Sequence, residues 1–350
     1  MPFNRRIYQN QGLFVAPTGT GTVSQITRVQ SINDGWELNR QNILQQGRLA
    51  PLAREIVDAP TVNLSATYYV TDGSDEAKLG FYTGVASGCL VNIINRTQAE
   101  KNYFIPTVAE GSDLIGLSGN SVVDTRGIGN AFISSYSVEG AVGGFLTANV
   151  SIEASNANYS LGGNAIPNPS ISQSNGQPLA GTYNIPTGIT GQAGQPTVLK
   201  QGDLTVDFGI SNPLGATLTG LGGAHIQSFN LNIPLSREQL QKLGNRYAYD
   251  RPITFPLDAT LSVSAFANDL TTGNLSSLFC GSNTYSIDIR ANSACANNAN
   301  EIVYSVRGAT LDSENFSSSI GGNTTVDMSF TISIGAPNDT VNNIYISGSA

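Results

Sequence analysis

Apolar and polar residues alternate with a period of two along much of this chain. Thr325, Asp327, Ser329, Thr331 and Ser333 interleave with Val326, Met328, Phe330, Ile332 and Ile334. Leu261, Val263 and Ala265 alternate in the same way with Thr260, Ser262 and Ser264. Such runs predict strands with one buried face. Further strands are predicted over residues 61–70, 131–139, 145–153 and 301–309, and an apolar-rich one over 23–33. Helical signals are few. Ser236 in cap position, Glu238 and Gln239 behind it, Leu240 and Leu243 on one side and a closing Gly244 predict a two-turn helix. Residues 37–46, closed by Gly47, read the same way. Helices this short must pack on a sheet.

The pattern is written twice. Shifted by 197 positions, residues 30–72 fall on 227–269 without a gap and with eleven identities. Gln30, Ser31, Asn33, Leu38, Arg40, Gly47, Arg54 and Ile56 land on Gln227, Ser228, Asn230, Leu235, Arg237, Gly244, Arg251 and Ile253. A second echo follows in order, residues 135–141 against 303–309, then Gly143-Gly144 against Gly321-Gly322 after ten extra residues. Two collinear echoes imply an internal duplication, and a repeat outweighs any local motif in setting architecture.

Composition narrows the function. Charged residues are 12% of the 350, so polarity comes from Asn, Ser, Thr, Gln and Gly. Neutral polar edges are cheaper to bury against a copy than charges are. A net charge of −8 argues against a nucleic-acid binder, which needs a basic patch. The first twelve residues are polar, with Arg5 and Arg6, and do not read as a secretory signal. Cys89, Cys280 and Cys295 have no metal spacing and read as reduced thiols, although Cys280 and Cys295 are near enough in sequence to bridge.

The run Ile226–Ile233, Ser236 to Gly244, Tyr249-Asp250-Arg251, then Pro256 and a long alternating strand resembles the tail tube (major tail) proteins of long-tailed bacteriophages. In copy one Leu52-Ala53-Arg54 stands where Tyr249-Asp250-Arg251 stands in copy two. The resemblance implies a mainly β chain: two tandem β-sandwich or barrel-forming tube domains, each with one short α-helix. The repeat and the composition along the chain divide it into an N-terminal arm (1–22), tube copy one (23–156), a Gly/Pro/Asn-rich insertion or linker (157–221), tube copy two (222–337) and a C-terminal tail (338–350). Single-domain members form six-membered rings, so three two-copy chains are expected to build a ring of pseudo-sixfold symmetry. Stacked rings would make a hollow tube in the virion tail, assembled in the host cytoplasm with other tail proteins. DNA would pass through without specific binding, and no membrane or cofactor is implied. An acidic lumen would keep a polyanion from sticking; Asp72, Asp75 and Glu76 are either part of it or a solvated hairpin tip.

Catalytic, cofactor and metal residues are expected to be none. His225, the only histidine, reads as structural rather than as a catalytic base. Trp36 is expected to anchor the copy-one helix to its sheet; with Tyr68 and Tyr69 it is the one hint of a carbohydrate platform. The alternative to a tube subunit is therefore a β-sandwich surface-binding module of lectin or adhesin type, with a β-rich hydrolase behind it.

Overall fold

The structure is a computed structural model. It describes residues 7, 10–19, 23–114, 122–163, 165–186, 198–200, 203–209, 225–266, 284–292, 301–320 and 322–348. Strands dominate. The chain begins with β1 (Leu13–Pro17), β2 (Ser24–Ile26), β3 (Val29–Glu37), β4 (Arg40–Ile43), β5 (Ala53–Ile56) and β6 (Thr61–Tyr69). Two short helices follow, α1 (Ser74–Leu79) and α2 (Val91–Ile94). Then come β7 (Glu100–Val108), β8 (Val122–Ala141), β9 (Thr147–Leu161), β10 (Ala165–Pro167), β11 (Thr182–Asn184) and β12 (Leu204–Gly209). The last stretch holds β13 (Ile226–Pro234), β14 (Asp258–Phe266), β15 (Tyr285–Asn292), β16 (Glu301–Ser317), β17 (Thr325–Ser333) and β18 (Asn343–Gly348). Fourteen strands join one large antiparallel sheet, which does not close into a barrel among the described residues.

The duplication is visible strand by strand. A shift of 197 carries β3 onto β13 and β6 onto β14, bounds included. Val29 opposite Tyr68 and Ser31 opposite Thr67, with a bulge between, become Ile226 opposite Ala265 and Ser228 opposite Ser264, with the same bulge. A shift of 178 carries the β8–β9 pairing onto β16–β17: Glu139 opposite Thr147 becomes Ser317 opposite Thr325. The bulge between Ile133 and Ser135 recurs between Leu311 and Ser313. The 303–309 echo is therefore not the structural equivalent of 135–141. Val303–Ala309 instead occupies the lane of 125–131, beside β15 as those residues lie beside β7. Tyr-Ser-Val is a short β-type string that recurs by composition, and no ten-residue insertion is needed.

The predicted alternation places the core correctly. Leu261, Val263, Ala265, Val326, Met328, Phe330 and Ile332 are all buried. One continuous hydrophobic cluster runs through both copies, and Tyr136 of copy one meets Tyr304 of copy two with hydroxyls 3.0 Å apart. A second cluster around Phe14, Phe104, Ile166 and Tyr183 backs β1, which lies between β7 and β2.

The helix expectations are corrected. Residues 37–46 end β3 and form β4, which pairs with β5 across the turn at Gly47. Residues 236–244 form the matching arm: Arg237 bridges Ile253 and Leu240 bridges Asp250, the equivalents of Arg40 with Ile56 and Ile43 with Ala53. The backbone N–H groups of Glu238 and Leu240 donate to Pro252 and Asp250 carbonyls, each at 3.0 Å. Leu243 is fully exposed, so the predicted apolar face has nothing to pack on. Such a face is what would have stabilised a two-turn helix. Helices appear instead at α1 and α2 in copy one. Two other segments also join the sheet: Leu13–Pro17 of the expected arm pairs with β7, and Asn343–Gly348 of the expected tail pairs with β16. Cys89 is a buried free thiol, whereas Cys280 and Cys295 lie outside the described residues.

Candidate functional site

Eight segments run side by side in the order β3, β6, β9, β8, β13, β14, β17, β16, antiparallel throughout. The central step joins the copies: β13 of copy two pairs with residues 135–141 of β8 in copy one, from Ser228 opposite Ala141 to Pro234 opposite Ser135. One face of this sheet covers the core. The other is a carpet of Asn, Ser and Thr, including Asn63, Ser65, Ser151, Asn230, Ser262, Ser329 and Asn315, with side-chain bonds such as Thr67 Oγ1 to Asn149 Oδ1 at 2.7 Å. Glu139, Glu153, Asp258, Asp312 and Asp327 add negative charge. Neither Lys nor Arg occurs in β3, β6, β13, β14 or β17, nor in residues 134–141, 147–154 or 310–317 of the other three strands. An open depression of about 460 Å³ on this face is lined by Glu139, Asn230, Ser262, Asp327 and Asn315, among others.

Among the described residues the sheet is open at both ends: β3 pairs only with β6, and residues 313–317 of β16 pair only with β17. Their equivalents under the repeat shifts are β13 and residues 135–139 of β8, which are paired to each other. The side chains show the same contrast. Ile233 is 0% exposed and its equivalent Trp36 is 67% exposed; Val138 is 0% exposed and its equivalent Phe316 is 57% exposed. An unpaired edge with large apolar residues beside it is an aggregation hazard unless a partner covers it.

The two arms differ likewise. The copy-two arm lies against copy one. Arg237 Nε donates to the Ile133 carbonyl at 2.8 Å, and its guanidinium lies 5.0 Å from the Phe132 ring centre. Arg251, buried, pairs with Glu153 at 3.3 Å and donates to the Ala154 carbonyl at 3.5 Å. Arg96 pairs with Asp250 at 2.7 Å. Burial lowers the Arg237 pKa to about 10. In copy one Arg40 and Arg54 stand at the same positions, exposed, on an arm that also exposes Ile43, Leu44, Leu49, Leu52, Ile56 and Val57.

The residues singled out by sequence fall elsewhere. Trp36 does not anchor a helix; it is exposed on the open β3 edge. Tyr68 is buried while Tyr69 packs against Phe145 in a tilted pair with ring centres 5.2 Å apart, so neither joins Trp36 in a platform. Asp75 and Glu76 are buried in α1 and form neither a hairpin tip nor a lumen wall; Asp72 Oδ1 accepts from the Ser74 N–H at 3.1 Å. Asp75 accepts from Lys78 at 2.7 Å and from the Thr27 hydroxyl at 2.6 Å. His225 is exposed at the start of β13, where its carbonyl accepts from the Phe266 N–H at 3.2 Å. No helix among the described residues is long and apolar enough to cross a membrane. Which strands form the open edges was not legible in the sequence, although the identities of Arg40 with Arg237 and Arg54 with Arg251 pointed to the arms.

No family model and no curated protein matches the chain. Among solved structures, a chain of the anti-feeding prophage baseplate aligns with a TM-score of 0.31 at 11% identity, covering 45% of this chain and 97% of that one. A likeness of that size supports no inference about function.

Proposed function

We propose that this chain is a non-catalytic tail tube subunit of a virion, joined to its neighbours edge to edge in rings that stack into a channel for DNA. The observation that carries this reading is the pairing of β13 with β8, because the chain's two open edges are the equivalents of those two partners. Head-to-tail repetition of a heterologous contact gives a closed ring or an open filament, depending on its rotation. Closure leaves no free edge. Carrying the internal junction across chains by the same shifts puts Ser31 opposite Ser319, Asn33 opposite Ser317 and Glu37 opposite Ser313. Trp36 and Phe316 would then be covered, and burying each is worth about 2 kcal/mol. The strands that form the polar face carry carboxylates but neither Lys nor Arg, which supports its assignment to the lumen, where a polyanion must slide without binding. Three chains per ring follows from the sequence resemblance.

The test is a chain with Asn33→Cys and Ser317→Cys in a Cys280→Ser, Cys295→Ser background. Mild oxidation is expected to give covalent oligomers that end at one closed species, with stacked rings and a central channel in negative stain. A chain that stays monomeric at every concentration, or that binds glycans as a monomer, overturns the reading in favour of a surface-binding module.

A further inference from the structure

The two open edges leave the copy-one arm, residues 38–57, unassigned. Its twin is held against copy one by two arginines, and the arm carries both of them, Arg40 and Arg54, exposed. We propose that this arm is a clasp that docks on the second copy of the neighbouring chain, as the copy-two arm docks on copy one within the chain. The proposal rests on the edge-to-edge reading above and adds a second contact to it.

The receiving surface can be read from the repeat. Arg237 donates to the carbonyl of Ile133 and Arg251 to that of Ala154; a shift of 178 turns these acceptors into Leu311 and Ile332. The carboxylate that receives Arg251 is Glu153, and its equivalent is Thr331. Thr331 has no charge of its own, but its hydroxyl donates to the Asp312 carboxylate, which is exposed. Asp312 stands where copy one has Ser134. The carboxylate has therefore moved from one strand to its neighbour while staying on the same patch of sheet, where Arg54 of the docking arm would meet it. The exposed Arg54 of one copy and the exposed Asp312 carboxylate of the other form a complementary pair, with Asp312 held from behind by the Thr331 hydroxyl. The apolar side chains Leu44, Leu49 and Leu52 give the arm a surface that contact would shield. A second copy of this chain is the occupant because the same chain already shows the same arm on the same surface.

Charge reversal tests the clasp separately from the edges. Arg54→Asp and Asp312→Arg each put like charges face to face, and each is expected to raise the concentration needed for assembly by about tenfold or more. Combined in one chain they should restore assembly to near the parent level. Thermal melting of the unassembled chains should be unchanged, since both positions are exposed. Failure of the double variant to recover, or single variants that assemble like the parent, would overturn the clasp. If assembly survives these changes while the Asn33–Ser317 cross-link still forms, the edge reading stands without the clasp. If the cross-link fails in the parent background, the edge reading itself fails.

Discussion

Two halves of one polypeptide share bulges, turns and registers, yet the first strand and the arm of copy two are covered while their equivalents in copy one are not. Copy two lays β13 against β8 and its arm against Phe132 and Glu153; copy one holds β3 and its arm out to solvent. The sequences differ less than the surroundings do. Ile233 and Trp36 are both large and apolar, and only one is covered. An exposed apolar residue is ordinary on any protein. An exposed apolar residue whose repeat twin is fully buried is informative, because the twin specifies the missing contact and its register.

The contrast breaks most visibly by putting a charge at the twin positions. Ile233→Asp buries an unpaired carboxylate at the junction of the copies, which costs several kcal/mol (about 4 or more) and should leave the chain insoluble or unfolded. Trp36→Asp places the same group on an open edge. Its monomer should melt with the parent in circular dichroism, yet fail to form rings. Equal melting of both variants would show that the two positions are not alternative sides of one contact.

The covered junction also carries a pH signature. Glu76 is buried and accepts from the hydroxyls of Tyr68 at 3.0 Å and Tyr136 at 3.1 Å, and Tyr136 in turn meets Tyr304 of copy two. Burial, reinforced by the negative charge of Asp75, raises the Glu76 pKa from 4.5 to about 7. A carboxyl whose folded pKa lies above its unfolded one keeps its proton longer when folded. Its contribution is therefore complete below about pH 4.5 and is lost as pH rises toward 7, about 3 kcal/mol in all. Glu76→Gln keeps an acceptor for both tyrosines and cannot ionise. Denaturant melts from pH 4.5 to 8 should show the variant gaining on the parent across that window and level above it. A pH-independent difference between the two would refute the raised carboxyl.

Legibility from sequence followed the range of the interactions. The strands were readable because alternation is written residue by residue, as in Leu261, Val263 and Ala265, and all three are buried. The arms were misread as helices because Ser236, Glu238 and a terminal Gly244 suit a helix cap and a hairpin turn alike. The choice was made by distant groups, the carbonyls of Asp250 and Pro252 and the surface around Ile133. Asp75 and Glu76 looked like solvated turn acids because carboxylates are rarely buried; Lys78 is a local partner one turn away, but the hydroxyls of Tyr68, Tyr136 and Thr27 that receive them come from other segments, whose proximity no local pattern announces. The proposed assembly site was hidden for the same reason. It consists of two edges from opposite ends of the chain, and only the observed β13–β8 pairing identifies them as partners.

The smallest effect separates the arms themselves. Gly47 and Gly244 hold the two turns at φ of +85° and +86°, and a Cβ at either would meet nothing within 4 Å. Alanine at either site therefore strains only the backbone, by about 1 kcal/mol. Whether global unfolding registers that strain depends on whether the arm is tied to the core. The copy-two arm is tied by Arg237, Arg251 and Asp250, so Gly244→Ala should lower the unfolding free energy by about that amount in a denaturant titration. The copy-one arm, paired with itself through β4 and β5, can relax on its own, so Gly47→Ala should leave the monomer unchanged. Its effect should emerge as weaker assembly, because a clasp that must hold one shape bears the strain only when docked. Equal losses in the two monomers would mean that the copy-one arm is already anchored within its own chain, and the contrast between the halves would disappear.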